Sequence, residues 1–208
     1  MKKILAILLL PLFFLNNIQA AIIEKKYNVL EKKIINAPPI IEFFSFLCPH
    51  CYELEKIYNL NHYIKKHISH SVKIERYHVN FLGGKFGQAL TQIWEISKMI
   101  GLDNKILIPL FKKIQDEKTI TNFHTLKNEF LKLTLINEKE LKFLWNCFVI
   151  KSIIYNQNII QNTINLDHIP SILINGKYSI DNEKINYNSK KEFIKDYIHV
   201  IKFLLKKK

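Results

Sequence analysis

Apolar positions change period several times along the chain, and each change marks an element. Tyr27 to Leu30 reads as a short strand. Pro38-Pro39 then introduces Ile40 to Phe46, an apolar run of strand length whose lack of alternation implies burial on both faces. Directly after Cys48-Pro49-His50-Cys51 the spacing becomes helical, with Tyr52, Leu54, Ile57, Tyr58, Leu60 and Ile64 on one face and charged residues between. Val72 to Asn80 alternates and predicts a second strand. Residues 40 to 80 therefore form a strand, helix, strand unit, which closes as a right-handed crossover in a parallel sheet.

Beyond Gly83-Gly84 the period stays helical for about 80 residues. The pieces are Phe86 to Ile100, ended by Gly101, then Ile106 to Gln115, Phe123 to Thr134, and a long helix from Asn137, where Asn137 and Glu140 make a capping box. Strand signals return at Ser171 to Ile174 and Lys177 to Ile180, separated by Asn175-Gly176, a strong hairpin turn. Ser189 with Glu192 opens a last amphipathic helix carrying Phe193, Ile194, Tyr197, Ile198, Ile201 and Leu204. Strands and helices at both ends with helices alone between them predict an α/β domain, residues 21–82 and 156–208, interrupted by a helical insertion, residues 83–155.

The first 20 residues stand apart. Lys2 and Lys3, the apolar run Ile4 to Leu15 and a polar stretch closing on Ala20-Ala21 have the layout of a secretory signal peptide. As a membrane anchor the run is short of the roughly 20 residues a spanning helix needs, and Pro11 interrupts it. Cleavage after Ala20 places Ile18 where a small residue is preferred, which leaves the cleavage point open.

The net charge of +13 raises the question of nucleic acid, but Arg76 is the only arginine and the lysines are scattered. Phosphate and base recognition recruits the bidentate guanidinium, so the charge reads as a solvated surface and no nucleic acid is expected.

Chemistry concentrates at Cys48 and Cys51. A thiolate attacks a disulfide, and it is stabilised at a helix N-terminus by unpaired N–H groups and the positive end of the dipole. Cys48 occupies that place, Pro49 suits the first helical position, His50 adds a positive or donor group, and Cys51 lies one turn on. This makes Cys48 the exposed nucleophile and Cys51 the shielded resolving thiol. Stabilising the Cys48 thiolate makes the disulfide more oxidising. A zinc half-site has no second pair at finger spacing, and a structural bridge across so short a loop would constrain little, so no metal and no cofactor beyond a redox-active Cys48-Cys51 disulfide are expected. Two readings stay open for Glu42, which breaks the apolar run: an outward-facing strand end, or a buried proton acceptor of raised pKa serving Cys51. Two also stay open for Ile169-Pro170, a plain strand start or a cis bond serving a site. Cys147 reads as a buried free thiol, Trp94 and Tyr52 as core, and the histidines other than His50 as surface.

Phe43-Phe44-Ser45-Phe46 before Cys48-Pro49-His50-Cys51-Tyr52, then Tyr77-His78-Val79-Asn80-Phe81 before Gly83-Gly84, and Pro170 followed by Asn175-Gly176-Lys177-Tyr178 together resemble the DsbA family across essentially the whole mature chain. The resemblance implies a thioredoxin fold and a monomeric periplasmic thiol oxidase acting on exported proteins with free thiols. It implies a DsbB-like inner-membrane partner that reoxidises the cysteine pair. It also implies that Pro170 is a cis-proline beside the site, that Ile169 offers backbone hydrogen bonds to substrate, that Glu42 is the family's buried acid, and that Glu55 and Arg76 are a neighbouring charged pair in which the family often has Lys. The chain departs from the family at Cys147 and in the polar, basic stretch Asp181 to Lys191. A disulfide isomerase or reductase would use the same cysteines, and a non-redox peptide-binding module would use the groove without them.

Overall fold

The computed structural model describes residue 23 and residues 26–207, so the expected signal peptide, residues 1–20, lies outside the described residues. One five-stranded sheet organises the rest, in the order β1-β5-β4-β2-β3. Its strands are β1 (Tyr27–Val29), β2 (Ile40–Phe44), β3 (Ile74–His78), β4 (Ser171–Ile174) and β5 (Tyr178–Ile180). The β2–β3 pair is parallel, as the crossover predicts, while β4 joins the other edge of β2 antiparallel, and β5 and β1 continue outward antiparallel. Asn175 and Gly176 make the β4–β5 turn at φ 52° and 64°, left-handed values that Asn and Gly tolerate.

β2 lies between two neighbours, and all five of its residues are buried. Successive side chains point to opposite faces. Ile41 and Phe43 join Tyr77, Val79 and Leu173 on one face, while Ile40 and Phe44 enter two separate clusters on the other. The cluster around Ile40 is closed by α8 (Lys190–Lys206), whose predicted apolar face, Phe193 through Leu204, is buried throughout. Ser189 caps α8 by accepting the Glu192 N–H.

After β2 the chain runs through α1 (Pro49–Glu53), a π turn (Leu54–Tyr58), and α2 (Leu60–His67). The single regular helix expected here is therefore broken. The wider π turn adds a residue, Asn59 follows in the left-handed region at φ 52°, and the helical register slips. Ile57, assigned to the apolar face by spacing, is 53% exposed, whereas Glu55 is turned inward.

Between β3 and β4 lie α3 (Gly84–Met99), α4 (Asp103–Phe111) with a π turn (Lys112–Asp116), α5 (Phe123–Thr134), α6 (Glu138–Trp145) and α7 (Phe148–Thr163). The capping box of Asn137 and Glu140 is present at α6. The long helix predicted from Asn137 is not: it stops at Asn146, and α7 restarts after Cys147, which is in an extended conformation with no side-chain cap bond. Cys147 is half-buried there, which corrects the expectation of a buried thiol. α7 changes allegiance along its length. Ile150 and Ile154 pack into the helical cluster, and Ile160 with Ile164 packs on the sheet. No helix among the described residues is long and apolar enough to cross a membrane.

Candidate functional site

The site begins where β2 ends. Ser45 to Leu47 turn the chain, and the Cys48 N–H donates to the Ser45 carbonyl at 3.0 Å. Cys48 is the N-cap of α1 with extended backbone (φ −92°, ψ 116°), and Pro49 takes the first helical position. The cap acceptor is the sulfur itself: the Cys51 N–H donates to Cys48 Sγ at 3.2 Å. The sequence expectation of an exposed Cys48 needs correction, since only 6% of the residue is accessible and its Sγ donates to the Ile169 carbonyl at 3.7 Å. Pro49 and His50 beside it are exposed.

The two thiols are driven apart in acidity. The Cys51 thiol, with help from the Cys51 and His50 N–H groups and the His50 charge, outweighs burial and lowers Cys48 to about 7. Burial first, then the neighbouring Cys48 sulfur and the Glu42 charge, raise Cys51 well above the ordinary thiol value. His50 itself lies 3.4 Å from Glu53 at the surface.

Glu42, Arg76 and Glu55 meet beneath the pair. Glu42 and Arg76 are register partners on β2 and β3, and the π turn delivers Glu55 to the same guanidinium. Arg76 Nη2 donates to Glu55 Oε1 at 2.6 Å and to Glu42 Oε1 at 3.2 Å. Arg76 Nε is 2.9 Å from Glu42 Oε2, but the two are misaligned for a hydrogen bond. The guanidinium also lies over the Phe44 ring, 4.8 Å from its centroid. Glu42 is thus a buried ion-paired group, and the outward-facing strand end is ruled out. Burial raises Glu55 to about 7 against the opposing pull of Arg76. Arg76, which burial would lower, is held above its usual value by the Glu42 and Glu55 charges.

Ile169 and Pro170 arrive from the loop before β4, joined by a cis peptide bond. Their position beside Cys48 unites residues separated by 121 positions in sequence. All nine residues singled out from the sequence, Glu42, Cys48, Pro49, His50, Cys51, Glu55, Arg76, Ile169 and Pro170, therefore belong to one connected neighbourhood. His50 and Pro49 form its outer rim, and Glu42, Glu55 and Arg76 its floor.

Three further side chains hold this neighbourhood and were not anticipated. His78, expected at the surface, is fully buried. Its Nε2 accepts the Phe46 N–H at 3.0 Å, so the ring proton sits on Nδ1 and is donated to Thr91 Oγ1 at 2.9 Å; Thr91 in turn donates to the Gly87 carbonyl at 3.2 Å. Burial lowers His78 to about 3, consistent with that neutral tautomer. Gly87 is required at the end of this relay, because a Cβ there would stand 1.8 Å from the Leu82 carbonyl oxygen. Gln115, at the end of the α4 segment, donates to the Phe46 and Cys48 carbonyls. Asn182, in the departing basic loop, donates to the Pro170 carbonyl at 2.6 Å and accepts the buried Tyr197 hydroxyl at 2.6 Å. No group of three His, Cys, Asp or Glu side chains among the described residues is arranged to hold a metal ion.

Known proteins similar to this chain are numerous. The thioredoxin family model matches residues 35–196. The thiol:disulfide interchange protein DsbA of Buchnera aphidicola subsp. Schizaphis graminum is 46% identical over 89% of this chain and 88% of its own length. DsbA of Escherichia coli strain K12 is 35% identical over 88% of each. Among solved structures, Proteus mirabilis DsbA with a non-covalently bound peptide superposes with a TM-score of 0.82 at 31% identity, covering 88% of this chain and 96% of that one.

Proposed function

The chain belongs to the DsbA family of thiol:disulfide interchange proteins, and from that premise we propose that it oxidises thiols of exported proteins by donating the Cys48–Cys51 disulfide. The observation that carries this reading is the division of labour within the motif. Cys48 is stabilised as a thiolate at a helix N-terminus, and Cys51 beneath it is held protonated. A pair that favours its dithiol state is a strong oxidant when it carries the disulfide.

The exchange runs in two displacements. A substrate thiolate attacks Cys48 Sγ, the S–S bond breaks toward Cys51, and Cys51 leaves as a thiolate that takes up a proton. Glu42, close enough for its charge to act on Cys51, is the group we assign to that proton traffic, with Arg76 and Glu55 setting the charge around it. A second substrate thiolate then attacks the substrate sulfur of the mixed disulfide and releases Cys48 as a thiolate. The substrate pair loses two electrons and the cysteine pair gains them, with no cofactor in between. His50 favours Cys48 as leaving group. Ile169 and Pro170 receive the substrate backbone, a role supported by the Ile169 carbonyl standing at Cys48 Sγ.

Residues 1–20 direct the chain out of the cytoplasm in this reading, and a DsbB-like membrane protein returns the dithiol to the disulfide in the periplasm. The protein acts as a monomer, with residues 83–155 as a helical insertion in the thioredoxin-like domain. The test is equilibration of the mature chain, as Cys147→Ser, with glutathione at pH 7. An oxidase is far easier to reduce than a thioredoxin disulfide. Equality with thioredoxin would point to a reductase, and peptide binding that survives Cys48→Ser with no thiol turnover to a binding module.

A further inference from the structure

The helical insertion reaches the redox motif through two consecutive side chains of the π turn that ends α4. Gln115 Nε2 donates to the Phe46 carbonyl at 2.8 Å and to the Cys48 carbonyl at 3.0 Å. Asp116 Oδ2 accepts the Tyr52 hydroxyl at 2.9 Å and Lys56 Nζ at 2.8 Å. The Tyr52 ring stacks on Phe111, 5.1 Å between centroids and 8° from parallel. These contacts bracket the Cys48 cap: the Phe46 carbonyl and that of Cys48 itself on one side, Tyr52 of α1 and Lys56 of the following π turn on the other. Because the Cys48 carbonyl already accepts the Tyr52 N–H at 3.2 Å, Gln115 supplies its second donor.

We propose that Gln115 is a positioning residue of the redox centre, which holds the Cys48 peptide so that its sulfur stays against the Cys51 N–H and thereby sets the balance between dithiol and disulfide. The inference rests on the thiol-exchange reading above. The sulfur meets that N–H only while Cys48 keeps its extended backbone, and Gln115 ties the carbonyls on both sides of the Leu47–Cys48 link. Its amide also offsets the partial negative charge of two carbonyl oxygens beside the atom on which negative charge gathers. Only the thiolate carries that charge, so the bond stabilises the dithiol form more than the disulfide. A side chain that merely glued the insertion in place would stabilise both redox forms alike.

The experiment uses the full mature chain with Cys147→Ser and reads two quantities: the pH dependence of thiolate absorbance near 240 nm and the equilibrium with glutathione. Gln115→Met keeps the length and removes both donors. It should raise the Cys48 pKa and shift the equilibrium about three- to tenfold toward the disulfide. Gln115→Glu should shift it further at pH 7, where a carboxylate faces two carbonyls, and less as the acid becomes protonated and can donate again. If Gln115→Met does not refold, Gln115→Asn, which withdraws the same amide by one methylene, is read in its place with the same expectation. A lower melting temperature in both redox forms, with thiolate pKa and glutathione equilibrium unchanged, overturns the proposal. A parent protein that is itself no stronger an oxidant than thioredoxin would instead overturn the functional reading, so the two failures are separable.

Discussion

The Phe46 N–H donates to His78 Nε2 at 3.0 Å, which makes a neutral imidazole part of the turn that carries Cys48. The folded protein keeps His78 neutral down to about 3, whereas the unfolded chain protonates it near 6.5. Between those values the unfolded state binds the extra proton, so stability falls as pH falls, by up to about 1.4 kcal/mol per pH unit from this group. His78→Gln retains an acceptor but does not titrate. Its urea midpoint should fall less steeply from pH 6.5 toward 4 than that of the parent, and identical slopes would remove His78 from the account.

Arg76 neutralises two buried carboxylates, so its loss strands both. Arg76→Met should destabilise the fold by about 3–5 kcal/mol in denaturant titration, and most of that should return when Glu42→Leu and Glu55→Gln are added. A cost that persists in the triple variant would mean that the arginine acts through its packing on Phe44 and Trp94 instead.

Glu55 works in the opposite pH direction to His78. Its folded pKa of about 7 lies above the unfolded value, so its contribution is complete below about 4.5 and is lost as pH rises through 7. Glu55→Gln should therefore gain stability relative to the parent as pH rises from 5 to 8. A constant difference across that range would contradict the raised value.

With Cys147 replaced by serine, the reduced protein should take up one equivalent of iodoacetamide, at a rate that climbs with an apparent pKa of about 7, all of it on Cys48. His50→Ala should move that midpoint upward, since the His50 charge lowers Cys48. Peptide mapping that found Cys51 alkylated at the same rate would deny the division of roles between the thiols.

The period changes placed the strands, most of the helices between β3 and β4 and the last helix because each of those elements buries a continuous stripe, and burial is what writes a period into a sequence. Glu42 was conspicuous for the same reason, as one charge inside an apolar strand. The failures share a cause as well. Ile57 lost its assigned face because a π turn leaves no mark in hydrophobic spacing, and the helix from Asn137 broke at Asn146 and Cys147, neither of which signals a new start. His78 alternates correctly on β3, yet its burial depends on α3 covering that side of the sheet, which no local pattern states. Gln115 and Asn182 sit in polar stretches that resemble solvated ends. Their partners, the carbonyls of Phe46, Cys48 and Pro170, are backbone atoms, to which composition is blind.

Asn182 offers a test of whether the basic loop belongs to the site. Asn182→Ala leaves the Pro170 carbonyl and the buried Tyr197 hydroxyl without this partner and should lower stability by about 1–3 kcal/mol. If the Pro170 turn receives substrate, the variant should also slow oxidation of a reduced protein substrate more than it slows exchange with dithiothreitol, which has no peptide backbone. Equal slowing of both would confine Asn182 to stability.

The C-x-x-C motif is complete early in the chain, but β4, which closes the second edge of β2 and brings Ile169 to Cys48, follows only after the five helices α3 to α7. A growing or partly folded chain therefore carries both cysteines and the Glu42, Glu55 and Arg76 floor long before it has the Ile169–Pro170 turn that stands at Cys48, and joining these parts means closing a loop of more than a hundred residues. In chain order the neighbourhood is completed last, by the Ile169–Pro170 turn that leads into β4. A fragment stopped after α7 would hold every atom of the redox pair and none of the Ile169–Pro170 turn, an unguarded dithiol in place of a directed one.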